Sequence, residues 1–303
     1  MAKTRVLIAA KTYPTISGKY DELVCTAGFL EDGSWIRIYP ISFRKKSYDQ
    51  QYKKYDWIEI DLVKNTSDFR PESYRPYSHD TAIEIVGHLS TDNFWAERKK
   101  YALKKVYTDL KELIKEAHTK EICTSLAVFK PTKILDFTAE PTEREWNKKK
   151  IDQLKANRDQ INMFAYEHPE NPFEVVRKLP FTFRFKFEDD KGKISNMMIE
   201  DWETGQLFWN SLKNHKGNEA KAVQDVKYKY FEDFAKTKDL HFYLGTSAVH
   251  HYVSHNPFMI IGTFYPKIQN QLSFFKLNHN KTTPNLKFKI DMVYLNLNNS
   301  IIF

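Results

Sequence analysis

The sequence predicts an α+β protein in two parts. A small antiparallel β-barrel with amphipathic helices spans 1–168, a ββααββ unit spans 169–275, and a tail covers 276–303. Three observations predict this. Short apolar runs with period-two alternation and helix-free links crowd residues 6–89. Amphipathic runs at three–four spacing follow them. Pro169, Pro172 and Pro180 then mark a boundary before strands resume.

The elements follow in order. Residues 6–13, 23–30, 35–39, 57–63 and 83–89 read as strands. In 57–63, Trp57, Glu59, Asp61 and Val63 alternate with Ile58, Ile60 and Leu62. Asp32 and Gly33 signal a type I′ hairpin that sets Leu30 opposite Trp35, Gly28 opposite Arg37 and Thr26 opposite Tyr39. Between Arg70 and Pro76 the two prolines interrupt any continuous ladder, so this stretch reads as a connector. Closely spaced strands of this kind close naturally as a small barrel. One helix is expected from a cap at Asp92 or Asn93 through Leu103, Val106, Tyr107, Leu110, Leu113, Ile114 and Ala117. Short strands are expected at 126–129 and 134–137. Thr142-x-x-Glu145 is a capping box for a helix through Ile151, Leu154, Ile161 and Phe164.

Beyond the prolines, Phe181, Phe183, Phe185 and Phe187 alternate with polar residues, and 188–193 turns at Gly192 into a paired strand at 194–200. Helices are expected at 205–212 and 219–234, broken at Gly217, and a last strand pair at 240–244 and 258–264. The Asn- and Lys-rich residues after 276 read as a poorly ordered or edge-strand tail.

Composition narrows the function. The 303 residues are 41% hydrophobic and 15% aromatic, with 47 Lys and Arg against 39 Asp and Glu, a net charge of +8. That excess favours a polyanionic partner such as nucleic acid. Two cysteines make neither a disulfide framework nor a thiolate zinc site. The short apolar run at 6–10 is no signal-peptide core and no stretch is long enough for a bilayer, so a cytoplasmic protein is expected. Nucleotide-loop, nucleophile-elbow and zinc-protease motifs are absent from the sequence, and no cofactor or metal is expected.

On a strand over 35–39, one face carries Trp35, Arg37 and Tyr39 beside small residues, a surface on which bases stack while Arg37 contacts a base edge or phosphate. Arg44, Lys45 and Lys46 would track the backbone. The alternative is a sheet covered on both faces, with Trp35 and Tyr39 in a second core. Glu200 and Asp201, at a strand-to-helix handover with Glu203, are either helix caps or a carboxylate pair for acid–base work, flanked by Trp202 and Trp209. His251 and His255, four apart, would share a helical face and offer a base or a metal ligand; otherwise they are ordinary loop histidines. These residues leave three readings: a DNA-directed nucleic-acid-binding protein, an enzyme excising or hydrolysing an unusual base in repair or phage defence, or a protein-interaction module.

Two resemblances add expectations. Gln271, Leu272, Ser273, Phe274 and Phe275 resemble the peptide by which bacterial polymerases and repair proteins dock on the sliding clamp, with Phe274 in place of the usual Leu. That implies a clamp partner reached through Gln271, Leu272, Phe274 and Phe275. Residues 35–40 with Phe43 and Arg44 resemble an uncharacterised bacterial family, and the strand-rich N-terminal third resembles the small barrels of the PUA and ASCH type. The latter implies binding of RNA or modified bases.

Overall fold

Strands largely buried on both faces build an open, curled sheet rather than a closed barrel. The structure, a computed structural model, describes residues 3–16, 23–78, 80–164 and 175–268. The clamp-like peptide and the 276–303 tail lie outside the described residues. Strands β1 (Thr4–Lys11), β2 (Val24–Phe29), β3 (Trp35–Ile41), β4 (Asp56–Ile60), β5 (Leu62–Lys64), β6 (Ser73–Pro76) and β7 (Ile83–His88) form one sheet in the order β5-β6-β3-β2-β1-β4-β7. The outer strands β5 and β7 are not neighbours, so the sheet remains a half-barrel. The wholly antiparallel expectation also changes. Ser73–Pro76, expected as a connector, pairs parallel with β3 through Arg37–Ser73 and Ile38–Tyr74. The prolines permit this because Pro71 precedes the strand and Pro76 ends it, leaving the intervening N–H groups for the ladder.

The hairpin register also differs by one residue. Phe29 faces Trp35, Ala27 faces Arg37 and Thr26 faces Ile38. Its cause is the turn. The Gly33 N–H donates to the Leu30 carbonyl at 2.9 Å with Gly33 at φ 80°, the signature of a type I turn closed by a glycine bulge rather than a two-residue type I′ turn.

The expected long helix splits into α1 (Asp92–Ala102) and α2 (Leu110–His118), with β8 (Val106–Tyr107) between them. The apolar spacing of 103–117 thus serves two elements, and Asp109 starts the second by accepting from the N–H groups of Lys111 and Glu112. β9 (Leu126–Phe129) and β10 (Lys133–Pro141) follow, then α3 (Lys148–Phe164). That helix begins beyond the predicted capping box, where Asn147 accepts from the Lys149 N–H at 3.0 Å. β11 (Phe181–Glu188), β12 (Ile194–Met198), α4 (Trp202–Asn214), α5 (Glu219–Lys227) with a π-helical continuation Tyr228–Ala235, β13 (His241–Thr246) and β14 (Phe258–Phe264) complete the described chain.

The strands of 181–264 do not make a sheet of their own. β11 pairs with β10 and β12, whereas β13 joins β14 and β9 in a four-stranded sheet ordered β14-β13-β9-β8. Ladders therefore cross the 168/169 boundary drawn from the prolines. One face of the half-barrel carries Val6, Ile8, Ile36, Ile38, Ile58 and Ile60. The opposite face, with Leu7, Ala9, Ala27 and Phe29, packs against Leu126, Val128, Tyr243 and Ile261 of the four-stranded sheet. The third core joins Phe183, Phe185 and Phe187 to Phe137, Phe208, Tyr230 and Phe242. Each such Phe, fully buried, contributes about 1.5–3 kcal/mol.

Within the half-barrel the paired strands β1 and β2 approach closely at Gly28. A Cβ at Gly28 would lie 2.5 Å from the Leu7 carbonyl oxygen and 2.6 Å from Val6 Cγ1, and backbone cannot yield as a side-chain tip does. Gly28→Ala is expected to destabilise the fold by about 1–3 kcal/mol in a denaturant titration; an unchanged midpoint would show that this approach is looser than described.

Candidate functional site

Burial of both faces of the sheet decides the fate of the predicted aromatic–Arg stripe. Arg37 is 2% exposed; its Nη2 donates to the Ser125 carbonyl at 3.0 Å and Oγ at 2.9 Å and lies 3.5 Å from Glu72. Trp35 packs on Phe29 at 4.1 Å and edge-on to Tyr243 at 5.7 Å. The open platform is thus a covered face, because the four-stranded sheet occupies it. Trp35 lines a groove of about 550 Å³ shared with Glu72, Tyr101, Lys104 and Ser125. Tyr39 is half-buried.

The histidines also separate. The His251 ring is fully buried, with Nε2 donating to the Ala117 carbonyl at 2.8 Å and Nδ1 accepting from the Thr246 hydroxyl at 2.8 Å. Burial holds its pKa below the ordinary histidine value. Both nitrogens are committed, so His251 ties the 248–254 turns to α2 and has no free base to offer. His255 is exposed, and residues 248–254 contain no helix that would align the two. Among the described residues no three His, Cys, Asp or Glu side chains are grouped to hold a metal.

A different set of charges converges at the end of β1. Thr12 bridges to Asp201, and the Tyr13 N–H donates to the Glu200 carbonyl at 2.9 Å, which seats the N-terminus of α4 against that end. The Tyr55 N–H donates to the Ile8 carbonyl at 2.7 Å and brings residues 53–55 alongside. Together they wall a cleft of about 410 Å³ whose polar lining is Lys11, Lys53, Lys54, Asp201, Glu203, Gln206 and Asn210, with Ile8 and Trp202 among its apolar walls.

The two inner lysines are held differently. Lys54 Nζ lies 3.3 Å from Glu203 and donates to the Thr263 carbonyl. Burial opposes its charge, but Glu203 and Asp201 outweigh burial and raise its pKa. Lys11 donates to the Tyr52 carbonyl at 2.8 Å, with its Nζ 3.7 Å from the centre of the Phe43 ring, 5.1 Å from Tyr52 and 5.3 Å from Trp202. No carboxylate among the described residues lies within ion-pair distance of it. Burial dominates and brings Lys11 down to about 8, against the opposing fields of Glu203, Asp201 and Asp56.

Asp201 is 2% exposed. Its Oδ1 accepts from the Glu203 N–H at 3.2 Å as the α4 cap, while its buried Oδ2 has no hydrogen-bond partner. Burial pushes its carboxyl up to about 7, opposed by Lys54 and Lys11. Both roles weighed from sequence, cap and titratable carboxylate, therefore fall on one residue. Glu200 does not line the cleft; burial raises its carboxyl too, and its carbonyl serves the Tyr13 contact. Trp209 donates to the Tyr13 hydroxyl at 2.8 Å, outside the cleft wall.

Arg44, Lys45 and Lys46 follow Phe43, whose ring meets Trp202 of the cleft at 5.2 Å, while Lys46 lines a separate cavity with Ile60, Arg75 and Ile83. Lys46 Nζ donates to the Thr81 carbonyl. The fold thus brings Asp201 and Phe43 to one region and leaves His251, His255 and Arg37 elsewhere. Lys11 and Lys54 escape sequence reasoning, since a lysine ending an apolar strand ordinarily reaches solvent.

The Asp201 proton has a measurable consequence. A carboxyl held protonated in the fold up to about 7, but ionising near about 4 when unfolded, stabilises below the unfolded value. That contribution is lost as pH rises between the two. Asparagine caps helices as well as aspartate and carries no charge. The stability of Asp201→Asn relative to the parent is therefore expected to rise from pH about 4 to about 7 in thermal melts; a pH-independent difference would refute the assignment.

Two family models match the chain, domain of unknown function DUF8758 over residues 2–104 and domain of unknown function DUF8757 over residues 106–279. No curated protein matches it. Among solved structures, a murine DNA-binding protein bound to double-stranded DNA aligns over 89% of this chain and 98% of its own, at 11% identity and a TM-score of 0.30. So low a likeness fixes neither fold nor ligand. The two models meet where α1 gives way to β8, and the second covers more than half of the sequence. The chain belongs to the DUF8757 family.

Proposed function

We propose that this chain binds nucleic acid, DNA in the first instance, and that the cleft at the α4 N-terminus receives the sugar–phosphate part of a nucleotide. The observation that carries the reading is the convergence of Lys11, Lys53 and Lys54 on an aromatic-walled cleft, with Arg44, Lys45 and Lys46 next along the chain from Phe43. A backbone phosphate meets lysines there, and Trp202 offers an apolar wall for sugar or base. The net charge of +8 supports the same partner. Trp35, in its groove with Lys104, is the competing contact surface. On this reading the Gln271–Phe275 peptide adds a second, protein partner, a bacterial sliding clamp.

A second reading, an enzyme acting on the bound nucleic acid, is favoured by one observation. Asp201 keeps a buried oxygen without a partner in the same cleft as an amine that burial drives toward neutrality.

Labelled single- and double-stranded DNA and RNA titrated across salt test the first reading. Affinity is expected to fall steeply with salt, and Lys53→Ala to reduce the log–log slope by about 0.7 on single strands or about 0.9 on duplex. Lys104→Ala should leave it unchanged. Loss with Lys104→Ala alone would move the interface to the Trp35 groove, and negligible binding to every nucleic acid would overturn the proposal.

A further inference from the structure

We propose that Lys11 is an imine-forming amine whose substrate is the open-chain aldehyde of a pentose phosphate, with Asp201 as its proton donor. The inference deepens the nucleic-acid reading and rests on it only for the source of the aldehyde, either an abasic nucleotide within a strand or a free sugar phosphate.

The contrast between the two half-buried lysines carries the argument. Lys54 is pinned by Glu203 and the Thr263 carbonyl and serves as a fixed cation. Lys11, in the same cleft, has an aromatic enclosure of Phe43, Tyr52 and Trp202 and one backbone acceptor instead of a counter-ion. An ion-pair network would keep a structural lysine charged; burial with no carboxylate at ion-pair distance outweighs the attraction of the ring faces for an ammonium and favours the neutral amine, the form that attacks a carbonyl. Asp201 supplies the second, independent feature, a carboxyl oxygen buried without a partner and lining the same cleft. The remaining lining suits a sugar phosphate. Trp202, Gln206 and Asn210 recur at four-residue spacing along one stripe of α4, an apolar wall followed by two amides that pair with hydroxyls. Lys53 and Lys54 provide for the phosphate.

The chemistry balances without any further reactant. The Lys11 Nζ lone pair forms a C–N bond to the aldehyde carbon, and the carbonyl π pair moves to oxygen, which takes the Asp201 proton. The nitrogen releases a proton to the Asp201 carboxylate, and that proton leaves with the hydroxyl as water when the C=N bond forms. The proton left on that nitrogen returns to the Asp201 carboxylate, so one amine and one aldehyde become one imine and one water with Asp201 protonated again.

Borohydride converts such an imine to a stable secondary amine, so the test is reductive trapping on the full chain. The two probes are an oligonucleotide with one abasic site and free deoxyribose 5-phosphate. A trapped adduct mapped to Lys11 by mass spectrometry of the unmutated protein is expected, so the result does not depend on a variant that folds poorly. Lys11→Arg should abolish it, Asp201→Asn should slow it by roughly a hundredfold, and Lys104→Ala should leave it intact. The trapping rate should follow a bell-shaped pH profile with its maximum between about 7, above which Asp201 loses its proton, and about 8, below which Lys11 gains one, with Glu203, Asp56 and Tyr52 the other groups facing Lys11.

No adduct with either probe, or an adduct mapped to another lysine, overturns the inference, and undamaged-DNA binding measured alongside shows whether the nucleic-acid reading stands without it. An adduct at Lys11 with the sugar phosphate but none with the oligonucleotide supports imine chemistry and counts against the nucleic-acid source.

Discussion

Strand β1 is buried on both faces, and the architecture depends on that constraint. Val6, Leu7, Ile8, Ala9 and Ala10 are each at most 3% exposed, so apolar layers must cover the half-barrel on both sides. Phe43 and Tyr52 from the link between β3 and β4 pack on one side, and the β14-β13-β9-β8 sheet closes the other. The second layer brings β14 and the β12–α4 junction to the end of β1, where Glu200 N–H donates to the Ile260 carbonyl at 2.8 Å. Coverage required by the hydrophobic effect therefore also assembles the cleft.

Within that cleft, burial and pairing pull charges in opposite directions. A lysine with a carboxylate partner keeps its charge when desolvated, whereas one desolvated without such a partner is pushed toward neutrality, and an unpaired buried carboxyl is pushed toward its protonated form. Lys54, Lys11 and Asp201 illustrate the three outcomes side by side. A sequence selected only for stability would replace the last two with apolar residues of similar size.

Much of the fold was legible where local pattern suffices. Phe183, Phe185 and Phe187 form one buried face because alternation and a strong apolar side chain leave a strand no other way to pack. The break at Gly217, with φ 87°, follows from a backbone conformation that glycine adopts readily. Where two local signals competed, the larger structure decided. Val106 and Tyr107 fitted a helical stripe yet became a strand against β9, since the ladder and the core offered more than continued helix. Trp35, Arg37 and Tyr39 alternated as expected along β3, but alternation does not reveal whether solvent or a second sheet meets the exposed side. Asp201 was legible as a helix cap from its position before Trp202; its unpartnered oxygen was not.

The sequence by itself determined the α+β class, the placement of most strands and helices, the phenylalanine core and the basic surplus. These depend on neighbours a few residues apart and on composition, which every window of the chain displays. Only the tertiary structure decided that the half-barrel stays open, that the Arg37 face is covered, and that Lys11 and Asp201 share one cleft. Proximity and desolvation are set by residues remote in the chain, and an ionisable group acquires its charge state from the surroundings that folding assembles around it.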